Sequence, residues 1–122
     1  MEFELDKGNA TYQIRSYHDG QVTVNSQTYT YPILVMPDLL LAPWGPDSFE
    51  DLQSSHFNVI LPYKPQVILF GAGQTLRFPT AILYRELIDK NIGIEIMNTA
   101  AACRTYALLI AEGRKVAAAL LC

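Results

Sequence analysis

The stretch QVILFGAGQTLRFPTAILYRELIDKNIGIEIMNTAAACRTYALLIAEGRKVAAALL, residues 66–121, alternates short apolar runs with amphipathic segments, and its reading decides the fold. Residues 67–70 are wholly apolar, the pattern of a strand covered on both faces. Gly71, Ala72 and Gly73 follow as a turn, and Pro79 suits the first turn of a helix that the pattern carries to Lys90. On a helical wheel Ala81, Leu83, Tyr84, Leu87 and Ile88 share one arc, with Arg85, Glu86, Asp89 and Lys90 opposite and Ile82 as the misfit. Asn91 and Gly93 stop that helix, and 94–97 forms the next strand. Thr99 is placed to cap a last helix that runs to Glu112 and ends at Gly113. Its buried arc holds Ala102, Cys103, Tyr106, Leu109 and Ile110. Residues 116–121 close the segment as a core strand, parallel or antiparallel to the others as far as the pattern goes, and parallel if the crossover is right-handed. The order is βαβαβ.

Upstream, Tyr12 to Tyr31 reads as a hairpin. Tyr12, Ile14 and Ser16 alternate with polar neighbours, His18, Asp19 and Gly20 turn the chain, and Val22, Val24 and Ser26 resume the period of two. Residues 33–36 form an apolar strand fenced by Pro32 and Pro37. Residues 38–46 (DLLLAPWGP) read as an apolar loop that either folds back over the sheet or presents a contact patch through Leu40, Leu41 and Trp44. Ser48 starts a short helix with Phe49, Leu52, His56 and Ile60 on one face, so His56 is read as a packing residue. The expectation is one α/β domain over 1–122, a compact three-layer structure with a mixed central sheet. Its parts are a hairpin and strand over 12–36, the apolar loop and short helix over 37–64, and the α/β half over 65–122.

Composition excludes several function classes. The 122 residues are 50% apolar and 17% charged, with a net charge of −3, and the nine Lys and Arg residues are scattered. That argues against a nucleic-acid surface. No apolar run approaches the ~20 residues of a membrane helix. Glu2, Glu4 and Asp6 leave no apolar core for a signal peptide, so the protein is read as soluble and cytoplasmic, a monomer or weak dimer. Cys103 and Cys122 have no CxxC spacing and are read as free thiols, Cys103 as a small core residue. His18 and His56 stand alone, so no metal set is expected and no cofactor is implied.

Gly71 and Gly73 invite comparison with phosphate loops. Leu76 stands where the dinucleotide fingerprint needs its third glycine, and no Lys-Ser/Thr pair follows. The glycines make either a tight strand-to-helix turn or a nest of amides for an anion. The same choice arises downstream, where no acid lies between Glu95 and Glu112 and Arg104 sits early in the last helix. A small anion held by Gly71, Gly73, Thr99 and Arg104 would answer both features; a solvated arginine is the plainer reading. No nucleophile–base pair or carboxylate pair is legible, so no catalytic residue is assigned and nothing requires an enzyme.

The runs 93–121 (GIEIMNTAAACRTYALLIAEGRKVAAALL), 65–73 (PQVILFGAG) and 37–44 (PDLLLAPW), taken in order, closely resemble a widespread domain-of-unknown-function family. That family includes the mitochondrial respiratory complex I assembly factor 3. The resemblance implies a three-layer α/β domain whose last strand lies antiparallel to the parallel ones, and it brings no established active site. It favours an interaction or assembly-factor-like protein with a protein partner, the alternative being a binding domain or enzyme for a small anionic ligand. The chain departs from the family pattern at Ala72, where Thr is common, at Asn98, where Asp is common, and at Ala100, where Gly or Pro is common. Loss of the acid at 98 weakens any reading that would use it as a base.

Overall fold

The computed structural model describes residues 10–122; Glu2, Glu4 and Asp6, on which the signal-peptide reading rests, lie outside the described residues. An antiparallel meander comes first: β1 (Ile14–His18), β2 (Gln21–Val24) and β3 (Gln27–Tyr29). Asp19 and Gly20 both take positive φ at the first turn, 55° and 74°, the tight-turn geometry that matches strand twist. The expected continuation of β2 through Ser26 fails. Asn25 adopts φ 54° and starts a second turn, its side chain bonded to Gln13 N–H and to the Thr11 carbonyl.

The main sheet contains β4 (Ile33–Met36), β5 (Leu39–Leu41), β6 (Val67–Gly71), β7 (Gly93–Met97) and β8 (Val116–Leu120) in the order β5-β4-β8-β6-β7. With it go α1 (Ser54–Asn58), α2 (Arg85–Asp89) and α3 (Thr99–Ala111). β6 runs parallel to β7 on one side and to β8 on the other, Val67 facing Val116 and Gly71 facing Leu120. The antiparallel last strand implied by the resemblance is therefore corrected. A 13-residue helix carries the chain back to the end it left, so β8 enters parallel. The reversal falls between β8 and β4, where Leu34 faces Ala119.

Alternation along the buried strands builds three layers. Leu34, Met36, Ile68, Phe70, Ala117 and Ala119 face a core completed by Trp44, Leu52, Phe57, Ile60 and Leu87, beneath α1 and α2. Ile33, Val35, Leu69, Val116, Ala118 and Leu120 face the other core, closed by Ala102, Cys103 and Tyr106 of α3 and by Ile14, Val22 and Val24 of the small sheet. Tyr106 Oη ties these two by donating to the Tyr12 carbonyl at 2.8 Å.

Three local expectations change. Residues 39–41 are a strand, not a loop, because they pair with β4 in register, Met36 to Leu39 and Leu34 to Leu41. The helix expected from Pro79 is a 3-10 turn over Ala81–Tyr84 followed by α2, so Ala81, Ile82 and Ile88 are exposed while Leu87 is buried. The helix expected from Ser48 splits into a 3-10 turn at Phe49–Asp51, α1, and a 3-10 turn at Leu61–Tyr63. His56 is the half-buried packing residue expected, stacked edge-on to Trp44, and its Nδ1 accepts Gln53 N–H.

Trp44 is core. Its relative exposure is 6%, its indole N–H donates to the His56 carbonyl at 2.9 Å, and its ring meets Phe57 edge-on at 5.9 Å. As a surface anchor it is corrected: the loop after β5 folds inward and uses the indole as a lid. Trp44→Ala should cost about 3–5 kcal/mol in urea denaturation; a loss under about 1 kcal/mol would place the indole outside the core.

Candidate functional site

Open α/β sheets hold ligands beyond the carboxyl ends of their parallel strands. Here those ends lead into Ala72 and Gly73 after β6, Asn98 and Thr99 after β7, and Leu121 and Cys122 after β8. One hydroxyl joins all three. Thr99 Oγ1 accepts Gly73 N–H at 2.8 Å and donates to the Leu121 carbonyl at 2.5 Å. Around it Thr99 N–H donates to the Gly73 carbonyl, Ala72 N–H to the Met97 carbonyl and Leu121 N–H to the Gly71 carbonyl, at 2.8–2.9 Å. Thr99 is fully buried, so these bonds satisfy groups that would be costly unpaired. A Cβ on Gly71 would lie 2.9 Å from Thr99 Oγ1 and 3.0 Å from Thr99 Cα, so glycine is what lets α3 start against the strand end. Gly73 takes φ +100°, a region side chains rarely enter.

This closure changes the anion reading of Gly71, Gly73, Thr99 and Arg104. The amides of Ala72, Gly73 and Thr99 are occupied internally, and Gly71 contributes its carbonyl. Asn98, not Thr99, caps α3, its Oδ1 accepting Ala101 N–H at 2.9 Å. Arg104 stands five residues on, about 140° around the helix axis from Thr99, and opens onto a different groove. The four residues do not make one site.

Two grooves lie near the strand ends. The larger, about 640 Å3, opens over them: Ala72, Gly73, Leu121 and Cys122 line it together with Asp47, Ser48, Gln74 and Arg77. Its charges are balanced: Asp47 is an acid, and Arg77 pairs with Glu50 at 2.9 Å with its guanidinium 4.3 Å above the Phe49 ring. The smaller, about 210 Å3, lies between β1 and α3, with Arg15, Ser16 and Tyr17 on one wall and the helical stripe of Ala100, Cys103, Arg104 and Ala107 on the other. The sequence offered Arg104 but not Arg15 or Tyr17, because docking of the meander onto α3 has no local signature. Burial pushes the Cys103 thiol up to about 12, and it also raises Cys122 and the Tyr17 phenol. Among the described residues no three of His, Cys, Asp and Glu gather as a metal-ligand set.

Residues 14–121 match the family described as protein of unknown function (DUF498/DUF598). The chain belongs to this family. It is 28% identical to a Francisella tularensis protein named 13 kDa major membrane protein, across 95% of both chains. It is 29% identical to the Danio rerio NADH dehydrogenase (ubiquinone) 1 alpha subcomplex assembly factor 3, covering 99% of this chain and 68% of that protein. A solved structure from Xanthomonas campestris is 35% identical and superposes with a TM-score of 0.82, across 99% of this chain and 92% of that one. Among the described residues of this chain no helix is long and apolar enough to cross a membrane.

Thr99→Val keeps the shape and removes the hydroxyl, leaving Gly73 N–H and the Leu121 carbonyl unpaired. Denaturation should register about 1–3 kcal/mol for each group; a neutral substitution would mean that water reaches the strand ends. A thiol reagent at neutral pH should label Cys122 before Cys103, because burial keeps the Cys103 thiol protonated. Equal native-state rates would contradict its place in the core.

Proposed function

We propose that this protein works by binding other proteins, in the manner of an assembly factor, and not by catalysis. The observation that carries the reading is the loop after β6. Leu76, Phe78 and Ile82 are 48%, 66% and 57% exposed within one short stretch. They are not loosely strung. Arg77 is pinned to Glu50 and Phe49 from the other side of the extended chain, and Pro79 is buried, so Leu76 and Phe78 are held outward between fixed points. Large apolar groups on a constrained loop, one of them aromatic, are the anchors that protein interfaces use.

Leu40 and Leu41, half-buried on the edge strand β5, offer a second contact. Trp44 supports that edge from within. The relatives' names make NADH dehydrogenase subunits the first partners to test, with the cytoplasm as the place of action. Docking onto a membrane-embedded partner accommodates the name of the Francisella relative. The test is a double variant, Leu76→Ser with Phe78→Ser, in a co-purification experiment. Stability should stay within about 0.5 kcal/mol per site, as for surface changes, while captured partners are lost. Partners retained at wild-type levels would remove this loop from the interface.

A further inference from the structure

The amino ends of the parallel strands lie at the opposite end of the sheet from the outward loop, and Gln66 ties them together. Its N–H donates to the Lys115 carbonyl at 2.8 Å, its carbonyl accepts Gly93 N–H at 3.3 Å, and its Oε1 accepts Lys115 N–H at 3.1 Å. The connections into β6, β7 and β8 meet here, and each carries cations: Lys64 before β6, Lys90 before β7, and Arg114 and Lys115 before β8. Residues scattered in sequence thus share one end of the fold. All four are exposed, and none makes an ion pair among the described residues.

Between the first two connections lies a groove of about 540 Å3. Leu61, Pro62, Pro65 and Ile92 make its walls apolar, Lys64 and Lys90 are its ionisable groups, and no carboxylate lines it. We propose that this groove is a docking site for an acidic segment of a partner protein, one that places an apolar side chain between two carboxylates. The contact is separate from the outward loop, and either can hold without the other. Lys64 and Asn91, both in the lining, take left-handed backbone at φ 51° and 63°, where glycine would turn the chain without strain. A lysine kept at such a position supplies an ammonium group that the turn itself does not need.

Charge and shape select the occupant. The chain as a whole carries a net charge of −3, so an extended polyanion such as a nucleic acid or an anionic bilayer meets a favourable field only at this end. A bilayer surface is also too flat to fill a groove walled by proline, leucine and isoleucine. The volume falls within the ~300–1,000 Å3 of sites that enclose a small molecule, room for one or two large side chains. A carboxylate on each flank complements one lysine from each connection, and the apolar side chain between them covers the apolar walls. Glu86 and Asp89 of α2 are the acids nearest Lys90 in sequence; both are exposed, and neither lines the groove.

Fluorescence anisotropy of the full chain at fixed ionic strength tests this with a rhodamine-labelled peptide, Glu-Leu-Glu-Phe-Glu-Leu-Glu. Wild type should bind it saturably. Matching peptides with Lys for Glu, or with Ser for Leu and Phe, should bind at least tenfold more weakly. Lys64→Gly with Lys90→Gln should weaken binding at least tenfold and keep the melting temperature, since one relaxes a left-handed turn and the other changes an exposed side chain. Leu76→Ser with Phe78→Ser should leave peptide binding unchanged, which separates this site from the outward loop. Absence of saturable binding, equal binding of either control peptide, or binding unchanged in the lysine double variant would overturn the proposal. So would co-sedimentation with anionic vesicles in place of peptide binding, which would assign this end to a membrane. Tighter peptide binding after Glu2→Gln, Glu4→Gln and Asp6→Asn would also overturn it, by assigning the groove to the chain's own acidic start.

Discussion

The Thr99 hydroxyl stands where the ends of β6 and β8 meet the start of α3, accepting from Gly73 and donating to Leu121. A side chain that both donates and accepts in a dry site locks two strands to a helix with one rotamer. The alternative is two unsatisfied backbone groups at the centre of the sheet. The closure requires Gly71, because any Cβ there meets Thr99, and it favours glycine at 73 through the backbone angle. Where an α/β protein would ordinarily present free amides to a ligand, those of Ala72, Gly73 and Thr99 are thereby paired within the fold, and the groove that opens over Ala72, Gly73 and Leu121 is left to its side chains.

The central strand explains how the layers close around that lock. β8 is nearly all alanine between Val116 and Leu120, a composition with weak intrinsic preference for a strand. Both of its faces are completely buried, so small side chains let large ones reach across from each layer. Phe57 and Phe70 stack at 5.7 Å on one side, and Tyr106 fills the other. Extension of α3 over β8 then brings Arg104 opposite β1, a consequence of packing at some distance from the sealed strand ends.

Much of the α/β half was legible because its elements are strongly periodic. β6, β7, α3 and β8 fall where the apolar pattern placed them, and the misfit of Ile82 on the wheel was a true signal of exposure. The residues before α2 were misread because a loop pinned by Arg77 on Glu50 and Phe49 carries no periodicity. Leu39–Leu41 was misread because three apolar residues beside prolines fit a strand or a buried loop equally well. At the strand ends the residues were singled out correctly and their chemistry was not. A glycine turn and a threonine before a helix look alike whether their amides await an anion or already bond one another. For Arg104 the missing knowledge was its neighbours, which come from the opposite end of the chain.

At those strand ends the amides of Ala72, Gly73 and Thr99 bond within the fold and do not await an anion. Hydrogen exchange at the Gly73 amide reads this directly. With its N–H bonded to a buried hydroxyl, Gly73 should exchange as slowly as the amides inside β6, and phosphate should leave that rate unchanged. Exchange as fast as at the exposed Gln74 and Thr75, with protection appearing only when phosphate is added, would contradict the account and return the strand ends to an open anion site.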